Sequence, residues 1–155
     1  MSQTKVKDLS DIFSTIPQYV FEIGIFSEHT KRKEKIQIGL TNAELMFIHE
    51  YGSPLRNIPA RPVLHMTLDW AKTQLPSVMS KAVAEFIKSG ENAYKKELDK
   101  FALRIEKYAR RIIYDNDGRL EANAASTIAA KGDNHPLFNT GQLARSITCI
   151  VRKLN

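Results

Sequence analysis

The stretch TNAELMFIHEYGSPLRNIPARPVL, residues 41–64, places a short helix next to a turn stiffened by prolines, and the rest of the chain is organised around it. Thr41 and Glu44 have the S/T-x-x-E spacing of a capping box, which predicts that a helix begins here. Gly52 is expected to end the helix because a residue without Cβ adopts positive φ easily, and Pro54 cannot continue it. The apolar stripe predicted to be buried consists of Leu45, Ile48 and Tyr51.

Two prolines then frame Arg61. Pro59 and Pro62 fix their own φ angles and push the residues before them toward extended backbone, so Arg61 lies at a rigid corner before a long helical pattern. Two roles stay open for its guanidinium. One is an internal brace, for instance against the carboxyl end of the 41–51 helix, where a cation is favoured. The other is a contact with a neighbouring subunit, for which a rigid corner lowers the entropy lost on binding.

Length and composition predict one globular domain over residues 1–155. Hydrophobic residues make up 43% and charged residues 26% of the chain, which argues against a disordered or membrane-spanning protein. Within this domain we expect a candidate flexible N-terminal segment at 1–17 and a long irregular connection at 115–139. The single cysteine, Cys149, cannot form an internal disulfide, and no signal-peptide or membrane-span pattern is present. The sequence therefore favours assembly in the cytoplasm without a membrane.

Alternating apolar residues predict three short strands, at 19–26, 36–40 and 146–152. The first two are expected to pair as an antiparallel hairpin with the basic segment 27–35 at its tip. Cys149 lies within the apolar alternation of the last strand, which predicts a buried and unreactive thiol.

Helical spacing predicts a short helix over 8–15 and two long helices separated by a break at Gly90. The first long helix, 64–87, is expected to kink or split at Pro76. The second is strongly amphipathic, and we interpret its apolar stripe as core rather than as a cofactor site. Together these elements predict an α+β fold in which a small, mostly antiparallel sheet packs against two or three helices, one of them long and amphipathic. The predicted stripes are Leu64, Leu68, Ala71, Leu75, Val78, Ala82 and Phe86 on the first helix, and Tyr94, Leu98, Phe101, Ile105, Tyr108 and Ile112 on the second.

Two segments of the chain resemble one protein family. HEYGSPLRNIPARPVL, residues 49–64, and PLFNTGQLARSI, residues 136–147, are similar to the IPARPF-type and D/N-T-G-x-L-x-x-S-I segments of the tail-completion and head–tail joining (neck) proteins of long-tailed bacteriophages. STIAAKG, residues 126–132, resembles a further S-T-I-A-x-K-G element, and Thr140 is expected to cap a short helix that extends through Ser146. The resemblance extends from about residue 18 to residue 152. The departures are Val63, where Phe is usual, and Phe138-Asn139, which replace an aliphatic residue and Asp.

The resemblance implies a structural virion protein that completes the tail and joins the tail tube to the head connector. It implies a homo-oligomeric ring, with a hexamer as the candidate size, next to a tail terminator or tail tube protein and to head connector or adaptor proteins. Assembly would take place in the host cytoplasm, and the final location would be the virion. Another ring of the same neck, such as a tail terminator or head-closure protein, stays open as an alternative. The candidate interface residues are Lys31, Arg32, Lys33, Lys35, Tyr51, Arg56, Arg61, Lys131, Thr140 and Arg145.

The net charge of +6 raises a second alternative, a basic DNA-binding accessory protein. Basic residues cluster at 31–35 and again at 95–111, where seven basic residues accompany three acidic ones. Neither cluster is interleaved with aromatic residues in the manner of a single-strand stacking surface. We therefore favour a solvated charged face or a protein contact over direct contact with DNA passing through the neck.

No catalytic, metal-binding or cofactor-binding set is predicted. The pair His49-Glu50 resembles half of a zincin helix, but position 53, where the second histidine would stand, is serine. Asp115 and Asp117 precede Gly118 without the ligand spacing of a calcium loop. The sequence therefore predicts a protein that is not an enzyme.

Overall fold

The computed structural model describes residues 9–26 and 39–154. The elements within these ranges are, in chain order, α1 (Leu9–Thr15), β1 (Tyr19–Gly24), α2 (Asn42–Tyr51), a 3-10 turn (Pro54–Arg56), α3 (Val63–Ser89), α4 (Glu91–Tyr114), α5 (Ala125–Lys131), α6 (Gln142–Ser146) and β2 (Thr148–Lys153).

The two strands form a two-stranded antiparallel sheet that joins the two ends of the described chain. Tyr19 at the start of β1 pairs with Lys153 at the end of β2. The strands predicted near both ends of the chain are therefore confirmed. Of the predicted strand at 36–40, only residues 39–40 are described, and they lie in no strand. The predicted hairpin tip at 27–35 lies outside the described residues.

The long helices α3 and α4 form a helical hairpin that carries much of the core. Its turn is the predicted break at Gly90, whose φ of 80° lies in the region that favours glycine. The α4 stripe is buried as predicted, apart from Tyr108, which is half-buried. Phe101 packs edge-on against Phe21 of β1, with ring centroids 5.4 Å apart, so α4 contacts α3 on one side and the sheet on another.

The buried side of α3 differs in part from the prediction. Ala71, Val78 and Ala82 of the predicted stripe are buried, but Leu68 and Leu75 are 41% and 37% exposed. Thr67, which lies outside the predicted stripe, is buried. Small side chains on α3 allow α4 to approach closely, and the larger residues of α4 fill the seam. Hydrophobicity alone pointed to the larger leucines, which lie on the outer side of the helix.

Pro76 lies inside α3, which runs without interruption from Val63 to Ser89, so of the predicted kink or split the split does not occur. A proline in a helix interior removes one backbone donor and costs about 3 kcal/mol. Here the proline is exposed, while Ala71 before it and Val78 after it are both buried in the same core cluster as part of α4. Packing on both sides of Pro76 outweighs the lost hydrogen bond.

The starts of α2 and α6 test the two predicted caps. Thr41 Oγ1 accepts from the backbone N–H of Glu44 at 3.2 Å, and the Glu44 carboxylate accepts from the Thr41 N–H at 2.8 Å, so the capping box is confirmed. At α6 the cap residue is Gly141, with φ 73°, rather than Thr140. Thr140 lies one position before this cap, and its hydroxyl accepts from the Gln142 N–H at 3.4 Å. The positive φ at the cap requires glycine, which displaces the threonine.

The buried side of α2 also differs from the prediction. Tyr51 is 60% exposed, and Leu45 and Ile48 are only half-buried. Met46 and Glu50 are buried instead, at 2% and 5% exposure. The helix is rotated because the Glu50 carboxylate contacts the start of α3, a tertiary contact that apolar periodicity cannot indicate.

One core cluster links α2, α4, α6 and the residue before β2, through Met46, Ile112, Leu143 and Ile147. The connection predicted at 115–139 contains the short helix α5, and Leu120, Leu137 and Phe138 pack against this cluster. The fold is therefore α+β, with a small antiparallel sheet packed against helices of which α4 is long and amphipathic, as the sequence predicts.

Candidate interface site

The chain reverses tightly after α2, and glycine is needed there. Gly52 has φ 73°, and a Cβ at this position would lie 2.8 Å from the backbone N of Ala60 and 2.9 Å from the carbonyl O of Ile58. Ser53 and Ile58 form an antiparallel bridge, with N–O distances of 2.8 and 3.0 Å. The segment between Gly52 and Arg61 thus folds back onto the end of α2, and backbone hydrogen bonds close it.

Glu50 binds the first turn of α3. Its two carboxylate oxygens accept from the backbone N–H groups of Leu64 at 2.9 Å and His65 at 2.8 Å. The His65 Nδ1 atom also lies 2.6 Å from Glu50 Oε1. A helix start presents unbonded N–H groups and a positive dipole, so a buried carboxylate is stable there. Glu50 is therefore a structural residue, although its position beside His49 first suggested a metal motif.

Arg61 is held inside the subunit. Its side chain is 5% exposed, and its Nε and Nη2 atoms donate to the carbonyl oxygens of Glu121 and Ala122, both at 2.7 Å. Its backbone N–H donates to the His49 carbonyl at the end of α2, at 2.5 Å. The internal brace is therefore the role that the contacts support. The side chain braces the connection after α4, rather than the carboxyl end of α2 offered as an example.

A cavity of about 460 Å³ opens beside Arg61. Arg61 and Lys131 line it together with Thr140, so three of the predicted interface residues meet at one place. Its walls are mainly apolar and include Leu45 of α2 and Leu143 of α6. The two segments that carry the resemblance, which are far apart in the chain, thus build the same cavity.

Two further cavity residues were missed by the sequence analysis. The Nδ1 atom of His49 and the Nδ2 atom of Asn123 are buried and have no hydrogen-bond partner among the described residues. Burial, and then the charge of Arg61, lower the pKa of His49 to about 4, so its ring is neutral near pH 7. Asn123 carried no pattern in the sequence, because its importance depends on the fold of the connection around it.

Lys131 lies at the cavity, but its charge is already neutralised. Its Nζ atom is 3.2 Å from the carboxylate of Asp133 and donates to the His135 carbonyl at 2.5 Å. The same Lys131 bond lowers the pKa of Asp133, which keeps that carboxylate ionised. Among the described residues, Arg61 is therefore the cation of the cavity that has no carboxylate in contact with it.

The other predicted interface residues lie apart from this cavity. Tyr51 is exposed on the opposite side of α2, where its ring stacks obliquely on Phe47 with centroids 4.9 Å apart. Arg56 is exposed in the 3-10 turn, and Arg145 is exposed on α6. None of these three residues lines the cavity. Four predicted residues lie outside the described ranges: Lys31, Arg32, Lys33 and Lys35.

The second basic cluster, at 95–111 on α4, is largely compensated within the protein. Arg104 lies over the rings of Trp70 and Phe101, at 5.9 and 5.5 Å, rather than projecting freely. Acidic side chains one turn away neutralise most of the other cations. These pairs are Lys95 with Asp99, Lys100 with Glu97, Arg110 with Glu106 and Arg111 with Asp115.

Residues 9–26 and 39–154 also bear on metal binding, thiol reactivity and membrane crossing. In these ranges, no three His, Cys, Asp or Glu side chains lie close enough together to hold a metal ion. Burial raises the pKa of the Cys149 thiol to about 12, which agrees with the buried and unreactive cysteine predicted. No helix of residues 9–26 or 39–154 has the length and apolar character to cross a membrane.

Comparisons of the chain with protein-family models, with curated proteins and with solved structures found no match.

Proposed function

We propose that this chain is a structural virion protein that completes a phage tail and joins the tail tube to the head connector. It acts in a ring of identical subunits, next to a tail terminator or tail tube protein on one side and connector proteins on the other. The observation that carries the proposal is that both segments with family resemblance, 49–64 and 136–147, contribute to one cavity and one core cluster.

The packing of these segments strengthens the resemblance as an argument. Val63, at the position where the family usually has Phe, is fully buried in the same cluster as Leu143 and Ile147, so the two segments pack into one structural unit. Two short matches at unrelated places on a surface would support the family resemblance much less strongly. The departure at Val63 leaves this packing intact, since a smaller side chain still fills the buried position.

The proposal is tested by disrupting this gene in the phage genome that encodes it. We expect DNA-filled heads and separate tails in electron micrographs, and a fall of at least tenfold in infectious particles. Expression of the intact chain in the same cells restores the yield. A normal particle yield after disruption would contradict a role in tail completion, and density for this chain in another neck layer would assign it to a different ring.

The DNA-binding alternative has its own test. Because most α4 cations are paired within the protein, we expect no gel shift of double-stranded DNA at physiological salt. A shift that weakens steeply with added salt would favour the DNA-binding accessory protein instead.

A further inference from the structure

We propose that the cavity beside Arg61 is a receptor for one carboxylate, presented by an acidic side chain of a partner protein whose neighbouring residues are apolar. The proposal concerns the ligand of this cavity in the isolated subunit. Its test does not depend on whether the protein functions in a virion.

The first step is the unmatched charge of Arg61. A guanidinium has five N–H donors, and the bonds to Glu121 and Ala122 engage only its Nε and Nη2 atoms with neutral carbonyl oxygens. At 5% exposure it makes no ion pair within 9–26 and 39–154. Buried cations in proteins are normally matched by an anion in contact, because desolvation is otherwise uncompensated. Burial lowers the pKa of Arg61, and the charge of Glu121 opposes this shift without an ion pair between the two side chains among the described residues.

The second step is that two other polar side chains of the cavity have buried nitrogen atoms that can donate a hydrogen bond. The Asn123 side-chain amide is buried with its Nδ2 atom unbonded, and the neutral His49 ring can donate from Nδ1. An unbonded buried donor costs about 1–3 kcal/mol, so an acceptor that enters the cavity recovers this free energy. A carboxylate supplies two oxygens with several acceptor positions, which suits a guanidinium and an amide together.

The third step distinguishes a carboxylate from a phosphate or nucleic acid. Lys131 is paired with Asp133, so the cavity offers one unmatched positive charge rather than the several that phosphate binding favours. The walls formed by Leu45, Leu137 and Leu143 are apolar and favour aliphatic neighbours of the acidic residue over sugars. One carboxylate with an apolar surround matches both features.

The backbone of the cavity wall supplies an independent observation. Leu137 has φ 60°, in the left-handed region that branched and bulky residues avoid. The two other residues with positive φ, apart from glycines, among those described are asparagines, which tolerate it. A strained leucine at the edge of a cavity holds the wall in a fixed shape at a cost in stability, a pattern that is concentrated at binding sites.

The experiment compares two blocked peptides, acetyl-Leu-Glu-Leu-amide and acetyl-Leu-Gln-Leu-amide, in NMR titrations of the isolated protein. We expect the Glu peptide to shift the Arg61 Nε–H and Asn123 side-chain signals and to bind at least tenfold more tightly than the Gln peptide. Arg56→Ala is the matched control, because it removes an exposed arginine of the same segment between α2 and α3, and Arg56 does not line the cavity. Peptide binding to this variant is expected to be unchanged.

A second variant fills the site from within. Asn123→Asp places a carboxylate in the cavity without changing its size, so we expect a higher melting temperature and at least tenfold weaker binding of the Glu peptide. Equal binding of the two peptides would overturn the proposal. So would the absence of any shift with either peptide, combined with an unchanged or lower melting temperature for Asn123→Asp.

Discussion

Glu50 and Arg61 are two buried charges on either side of the same tight turn, and each is 5% exposed. Both bind backbone atoms rather than an opposite charge in the core. The Glu50 carboxylate is saturated, because it accepts from two N–H groups of α3 and lies beside His65. Arg61 keeps donors available and faces a cavity. Equal burial therefore conceals different surroundings, since the Glu50 carboxylate contacts the start of α3 and the Arg61 guanidinium braces residues 121 and 122 beside a cavity.

The largest effect is expected when the carboxylate of Glu50, the saturated member of this pair, is removed. Glu50→Ala leaves two N–H groups at the start of α3 without acceptors inside the protein, and we expect a loss of about 3–4 kcal/mol in the free energy of unfolding. Arg61→Met removes the other charge while keeping much of its length, and it is expected to lose less than Glu50→Ala. Urea unfolding of both variants measures the difference. A smaller loss for Glu50→Ala than for Arg61→Met would invert the comparison.

The next prediction concerns pH on the cavity side. Burial, and then the charge of Arg61, lower the pKa of His49 from its ordinary 6.5 to about 4 in the folded protein. The unfolded chain therefore binds the proton first, so this group lowers stability as pH falls from about 6.5 to 4, by roughly 3 kcal/mol in total. The charged cavity groups near it are Arg61 and Lys131, and Lys131 is paired with Asp133.

The control for this prediction is His49→Gln, which removes the titrating ring but retains a polar side chain. Stability measured by urea unfolding from pH 7 to pH 4 should fall less steeply in the variant than in the unchanged protein. Parallel pH curves for the two proteins would show that the ring is protonated alike in both states.

The smallest expected effect lies on the outer side of α2. Tyr51 follows Glu50 in the chain but is 60% exposed, and its ring contacts are with Phe47 and His65 on the surface. Tyr51→Ser is expected to change the free energy of unfolding by about 0.5 kcal/mol or less. Thermal unfolding of this variant provides the check, and a loss comparable to that of Glu50→Ala would mean that the two sides of α2 are energetically alike.

Much of the α3–α4 hairpin could be predicted because its signals are local. The alternation from Tyr94 to Ile112 and the break at Gly90 depend on residues close together in the chain, and both are confirmed. The rotation of α2 could not be predicted, because the contact of Glu50 with Leu64 and His65 depends on where α3 begins relative to α2. Apolar periodicity depends on hydrophobicity alone and does not indicate such a contact.

The cavity was predictable only in part. Arg61, Lys131 and Thr140 were among the candidate interface residues, and the fold brings them together. His49 and Asn123 were missed, since an unbonded buried atom exists only once its surroundings are fixed.

The sequence by itself determined the types of the long helices and of the two terminal strands, the capping box of α2, the glycine breaks and the α+β class, because backbone propensity and hydrophobic period act over a few residues. Tertiary structure decided which side of α2 is buried, that α3 continues through Pro76, and that Arg61 braces Glu121 and Ala122 beside an open cavity. These outcomes depend on contacts between segments distant in the chain, where packing and the desolvation of buried charges outweigh local preference.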